Sequence, residues 1–431
     1  MVCFCEGSTL QSAAAAPSLA LSSLPRRSLR YAVLGAGFAG LSVTWNLLKL
    51  CPKDVPLRID IYDEVGIGGG ASGVAGGLLH PYSPKVKLLW KGAECWADCL
   101  RLLSVAESTL HSKELDSEMD GCQNMHEFVV LRRGILRPAI SLKNLTVLKE
   151  NAQNGLDSCR IETIDEDDAR NLVPQLHVPL NTAFYMPQAV NINSRRYLEA
   201  LFTACENLTK ESSTSGHGPK ELYLQKDSIN KLRELGGAYD AVIVCLGAKM
   251  VMLPELSGKL PLRTCRGVVA HMQLPDDISN TYPELGPSIL SDAWLAIQGP
   301  RSLYMGSTWE WQSTNSSPEV SEDEGLRTLA ELLPKVAAIY PSIKEWSFTG
   351  ARAGLRAMPP LTPPGSLPLM GCIDEIVRHN SSCKYWLLGG LGSRGLLYHG
   401  WLGKLTAQAV LSCNEKLIPS ELTSWKKMMN S

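Results

Sequence analysis

The sequence predicts an α/β protein in which a Rossmann-like, dinucleotide-binding domain interleaves with an α+β domain built on an antiparallel sheet. Three observations carry this. In "YAVLGAGFAGLSVTWNLLKL" (31–50) a compact apolar strand, a glycine turn and a helical apolar spacing follow one another. The run "YDAVIVCLGA" (239–248) is continuously apolar and ends in glycine, the pattern of a buried parallel strand. Between this run and a second glycine-rich stretch near the C-terminus lie "TCRGVVAHMQL" (264–274) and "SLYMGSTWEW" (302–311), which read as strands of another sheet.

Taken in order, the first thirty residues stand apart. They carry six serines, five alanines, Arg26, Arg27 and Arg30, and one acid, Glu6. That bias is expected of an organellar transit segment, to a plastid or mitochondrion, in preference to a disordered cytosolic tail. Folded sequence begins at Tyr31, and "LRIDIYDE" (57–64) follows as an alternating strand that closes a βαβ unit. The glycine-rich 65–84 is loop-like, and helix is expected over about 85–112. "EFVVLRRGILRPAIS" (127–141) reads as a hairpin turning near Gly134, and the polar stretches 209–221 and 313–324 as surface loops. Ser321 and Glu324 form a capping box that opens a helix. This places the dinucleotide domain in 31–115, 184–250 and 350–415, the second domain in 116–183 and 251–349, and a C-terminal tail in 416–431.

Composition narrows the function classes. The 431 residues are 45% hydrophobic and 20% charged with a formal net charge of −1, so no global field recruits nucleic acid or anionic membrane. No apolar run reaches membrane-spanning length, and no membrane partner is expected. Thirteen cysteines without CxxC couplets argue for buried free thiols and against a metal site. The arginine groups Arg132, Arg133, Arg137 and Arg195, Arg196 read as solvated surface or, less simply, as contacts to RNA phosphates.

Gly35-Ala36-Gly37-Phe38-Ala39-Gly40 fits G-x-G-x-x-G between strand and helix. Gly35 permits the tight turn, Gly37 lets backbone approach a pyrophosphate, and Gly40 lets helix and strand pack closely. The helix N-terminus adds free N–H groups and a positive dipole end. Asp63, with Glu64 as the neighbouring candidate, stands at the end of the second strand, where a carboxylate accepts ribose hydroxyls. The motif alone does not choose between NAD and FAD.

Three stretches, "GGGASGVAGGLLHP" (68–81), "YDAVIVCLGA" and "GLGSRGL" (390–396), resemble the flavin-dependent amine and amino-acid oxidases of the D-amino-acid oxidase and glycine oxidase superfamily. With "ARAGLR" (351–356) and "LPLMG" (367–371) they are most similar to the FAD oxidase half of the bacterial bifunctional enzymes that make 5-methylaminomethyl-2-thiouridine in tRNA. The resemblance implies noncovalent FAD. His80 lies several residues beyond the family's covalently attached histidine, and 356–371 holds no cysteine. It implies that Gly70, Ala71, Ser72 and Gly73 contact the flavin, and that Gly371 lies against the cofactor. It further implies that Gly392, Ser393, Arg394, Gly395 and Leu396 aim a helix N-terminus at the pyrimidine end of the ring, where negative charge develops.

Within that family the arginine of G-x-R holds the substrate carboxylate, which implies this role for Arg356, with Arg352 as a weaker candidate. Trp309 and Tyr304 occupy a strand whose family counterpart faces the substrate cavity, and Arg266 is either structural or flavin-proximal. The function implied is oxidation of the C–N bond of an N-substituted glycine or amino acid, with molecular oxygen or another electron acceptor. The carboxymethylaminomethyl group of a tRNA wobble uridine is one such substrate. Oxidation of free glycine, sarcosine or a D-amino acid, and a non-catalytic flavin-bound assembly factor, are the alternatives. The bacterial enzyme's methyltransferase half has no counterpart in this chain.

Overall fold

The computed structural model describes residues 28–116, 128–214, 218–278, 281–378 and 382–429. The expected transit segment falls almost wholly outside these.

One sheet has six strands in the order Leu369–Cys372, Lys384–Gly389, Ala241–Val244, Leu29–Leu34, Leu57–Tyr62 and Lys220–Gln225. All neighbours are parallel except the edge strand Leu369–Cys372. Strand Ala241–Val244 is fully buried between two partners, which explains its unbroken apolar sequence. Helices α1 (Phe38–Leu50), α2 (Gly92–Asp116), α3 (Ser194–Thr214), α4 (Glu322–Ala337) and α5 (Gly395–Ser412) complete the frame. Of these, α1, α2, α3 and α5 share one apolar core with the parallel sheet, whereas α4 covers the second sheet.

That second sheet has nine strands and is mostly antiparallel, with Arg263–Gln273 paired to Ser347–Met358 along nearly its whole length. Both Ala183–Met186 and Ser347–Met358, assigned from sequence largely to the dinucleotide segments, hydrogen-bond into it. The expected 127–141 hairpin does not form. Gly134, at φ +76, sends Val130–Leu131 to a small three-stranded sheet and Ile135–Pro138 to the nine-stranded one. Polar 209–214 is helical rather than loop, because α3 runs on through Thr214. The C-terminal segment docks rather than trailing. Trp425 is buried and its indole N–H donates to Met370 O at 3.0 Å.

Burial does much of the electrostatic work. The ten described cysteines are all free, and eight are buried. His399 on α5 has its Nδ1 2.8 Å from Leu396 O, which can only accept, so Nε2 accepts from the Tyr197 hydroxyl at 2.6 Å. Burial pushes the pKa of His80 down to about 3 and those of His271 and His399 to about 4. Unfolded imidazoles bind protons near pH 6.5, so between there and about pH 4 unfolding takes up protons and acid favours the unfolded chain. Stability is therefore expected to fall as pH drops from 6.5 to 5, each histidine adding up to about 1.4 kcal/mol per pH unit. Melting temperature measured across that window checks this, with a shallower slope expected for His399→Gln; a flat profile contradicts it.

Candidate active site

A cavity of about 730 Å³ opens between the C-terminal ends of the central parallel strands and the inner face of the nine-stranded sheet. Glycines make its cofactor-side wall. At Gly35, φ is +105 and a Cβ would stand 2.5 Å from Cys245 O, so the turn and the neighbouring strand leave room for no side chain. A Cβ on Gly37 would lie 2.8 Å from the Ser72 Oγ, and that hydroxyl accepts the Phe38 N–H at 3.1 Å. Ser72 therefore caps α1 from another loop while lining the cavity.

Gly35, Gly37, Phe38, Ala39, Asp63, Glu64, Gly70, Ala71 and Ser72 all line the cavity, as do Gly392, Ser393, Arg394, Gly395 and Leu396 from the far end of the chain. Asp63 is engaged by the turn: it accepts N–H bonds from Ala36 at 2.8 Å, Gly66 at 2.9 Å and Val65 at 3.1 Å. Glu64 beside it pairs with Lys249. The second glycine stretch forms a short 3-10 turn, Gly392–Arg394, that runs directly into α5. The first-turn N–H groups of α5 receive no side-chain cap from Arg394 and point at the cavity end.

Gly40, Gly73, Gly371 and Tyr304 lie off the cavity. Gly40 faces Gly35 O, where a Cβ would collide, and serves helix–strand packing alone. Gly73 packs in the same way against Gly68 O. Gly371, at φ +133, sits on the edge strand where a side chain would strike Glu415, whose carboxylate accepts the Cys372 N–H at 2.7 Å. Its signal marked docking of the C-terminal segment, not the cofactor. Tyr304 stacks on His271 with ring centroids 4.3 Å apart, two residue pairs beyond the lining positions Val269 and Gly306.

Arg356 lines the cavity and is half-buried. Its Nη2 donates to Thr308 O at 3.0 Å, and its guanidinium lies 4.1 Å from the centroid of the Trp309 ring. Trp309 stacks on Trp311, over which Arg263 lies in turn. Gly267 makes this possible, since a Cβ there would stand 2.5 Å from Arg356 Nη2. Among the described residues no carboxylate pairs with Arg356, and burial lowers its pKa. Trp309 is thus first a platform under the arginine. Arg266 is structural: it is 1% exposed and binds Glu324 at 3.0 Å together with the carbonyls of Asn315, Ser317 and Glu319. The Glu324 half of the capping box is diverted to it, while Ser321 still caps the Glu324 N–H.

Sequence reasoning missed Trp294 and misplaced Arg137. Trp294 fills the space opposite Gly76 and Gly306, where any side chain would collide with its indole. The two glycines are 230 residues apart and carry no joint signal in sequence. Arg137 leaves the arginine-rich surface it was grouped with and lines the cavity, whereas Arg132 pairs with Glu107 and Arg195 with Glu199 at 3.1 Å.

The wall suits a dinucleotide carrying a flat ring system: glycines that would clash if substituted, helix N-termini at both glycine clusters, and a Trp face. Residues 30–409 match the family model described as FAD dependent oxidoreductase. The chain is 24% identical over 334 residues to a Rhizobium etli protein named as a candidate thiamine biosynthesis oxidoreductase, ThiO, covering 76% of this chain and 84% of that one. Glycine oxidase from Geobacillus kaustophilus superposes with a TM-score of 0.67 at 17% identity, covering 92% of this chain and 98% of its own. An iminodiacetate oxidase from a Chelativorans species gives 0.62 at 20% identity, covering 91% and 98%. These structures share the fold. Gly37→Val is expected to displace Ser72 and strip FAD, so that the purified variant loses the visible flavin band while keeping its far-UV circular dichroism; full FAD retention contradicts this placement.

Proposed function

The chain belongs to the FAD-dependent oxidoreductase family, and on that premise we propose that it oxidises the C–N bond of an N-substituted glycine or related small amino acid. The observation that carries this reading is Arg356: a half-buried guanidinium that faces the cavity, is held flat on Trp309, and has no carboxylate partner among the described residues. A planar fork in that state fits a substrate carboxylate, which would accept from it two parallel hydrogen bonds.

Bound FAD supplies a two-electron acceptor for the hydride that leaves the carbon beside the amine nitrogen. Gly37, Ser72 and the α1 N-terminus would hold its pyrophosphate, Glu64 its ribose, and the turn at 392–396 its pyrimidine end, without a covalent link. The His80 Nδ1 accepts the Tyr82 N–H at 3.3 Å, which keeps this histidine occupied as a neutral wall group. Arg356 then fixes the carboxylate so that the neighbouring C–H faces the ring, and Trp294 supplies an apolar wall. Loss of the hydride and of the N–H proton leaves an imine. Water converts the imine to a free amine and glyoxylate when the substrate is an N-substituted glycine.

Anaerobic mixing of the holoprotein with sarcosine, glycine, D-alanine and tRNA bearing carboxymethylaminomethyluridine tests the substrate class. Bleaching of the flavin band by at least one is expected, and no bleaching by any overturns the reading. Arg356→Ala should raise KM about 10- to 100-fold, the loss of a charged hydrogen-bonded anchor, with the flavin spectrum intact. Loss of FAD in that variant would assign the residue to the cofactor instead. Trp309→Ala should raise KM by about 2- to 30-fold through the lost cation–π contact, and Trp309→Phe should recover most of it. Equal KM in all three would remove Trp309 from the positioning of Arg356.

A further inference from the structure

Arg137 is carried by the strand Ile135–Pro138 and is only 7% exposed, yet it lines the cavity. Its Nε and Nη1 are buried with no hydrogen-bond partner. Leaving guanidinium donors buried and unmatched is unfavourable, and an anion entering the cavity would supply the missing acceptors. The groups around it reinforce this. Arg394 is close enough to oppose its charge, Asp292 acts on it electrostatically without forming an ion pair among the described residues, and burial, reinforced by the charges of Arg394 and Arg137, holds His80 neutral.

Arg137 sits where the two sides of the cavity meet, near Arg394 of the second glycine stretch. Arg137 comes from the nine-stranded sheet that also bears Arg356, Trp309 and Trp294, not from the glycine loops. Between the strands of Arg356 and Arg137 lie Arg263–Gln273, Ser302–Gly306, Trp294–Gly299 and Ser288–Leu290. At about 4.8 Å per strand step the two backbones are on the order of 20 Å apart along the sheet, which two long side chains reaching inward only partly close. One short substrate carboxylate cannot serve both. From this arrangement we propose that the cavity holds two anion subsites, and that its substrate is an amino acid whose nitrogen bears an extended arm ending in a second anion, a carboxylate or a phosphate, bound by Arg137. The proposal rests on the amine-oxidation reading for its first subsite.

The test compares N-(ω-carboxyalkyl)glycines of increasing length with N-alkylglycines of equal length as substrates of the holoprotein. N-(ω-phosphonoalkyl)glycines serve as the phosphate arm. At the best length the anionic arm should raise kcat/KM on the order of 10- to 100-fold over its neutral counterpart. Arg137→Met should collapse that ratio toward one with the flavin band retained, and Arg137→Lys, which keeps charge without the planar fork, should keep part of it. A wild-type ratio near one, or an unchanged ratio in Arg137→Met, overturns the second subsite. Loss of FAD from both variants also overturns it, by assigning Arg137 to the cofactor. If no N-substituted glycine bleaches the wild-type flavin, the oxidation reading fails separately. Calorimetry with an unreactive α,ω-dicarboxylate against the monocarboxylate of equal length then decides the subsite, through the same loss of preference in Arg137→Met.

Discussion

Close packing of α5 on α1 and α2 is the constraint from which the rest of the structure follows. Gly403 stands where any side chain would collide with Ser42, and a Cβ on Gly400 would lie 3.0 Å from the α2 backbone at Asp98 and Cys99. The Ser42 hydroxyl donates to His399 O at 2.8 Å, and the Cys99 thiol donates to Leu396 O at 3.1 Å. Helices this close transmit position with little slack. The N-termini of α1 and α5, nearly 360 residues apart in the chain, are thereby held at one cavity, each preceded by a glycine turn. Phe38, at the start of α1, meets the His399 ring at 5.2 Å and completes the joint.

The polarity of the cavity is set by charge held where water is scarce. Arg356, Arg394 and Arg137 all line the cavity, and for each of them burial lowers the pKa. Arg266 marks the contrast on the same strand pair, since its guanidinium is saturated by Glu324 and three carbonyls and leaves nothing for a ligand. The protein thus uses one arginine to pin the 313–324 segment to the sheet and keeps others with donors to spare. A cavity so lined selects for anions by its unmet hydrogen bonds as much as by its field.

Glycines also place the two walls relative to each other. A Cβ on Gly354 would stand 2.8 Å from the Cα of Ala71, so the strand that carries Arg356 passes directly over the glycine-rich loop that follows strand Leu57–Tyr62. The same spacing would let a substrate anchored on Arg356 lie against a ring bound along that loop. Arg352, four residues before Arg356 on the strand, is exposed and sits by Tyr304 and His271 instead, which removes it from the carboxylate role.

Local sequence determined the glycine turn at 35–40, the strands that flank it, the buried strand near 241–244 and the helix that starts beside Gly395, because each is specified by contiguous periodicity and by backbone angles that only glycine tolerates. Arg356 was marked through the family resemblance of its G-x-R stretch, Gly354-Leu355-Arg356, which is itself local. Tertiary structure alone decided which residues of similar type face the cavity. Gly371 resembled a cofactor glycine but makes room for Glu415, and Tyr304 resembled a site aromatic but stacks on His271. Arg137 resembled a surface cation and is buried at the site, and Trp294 gave no signal although two distant glycines yield to it. Strand alternation says that a side chain points to one face or the other. Which face meets the ligand depends on how the two sheets are laid together, and that is fixed by contacts between segments far apart in the chain.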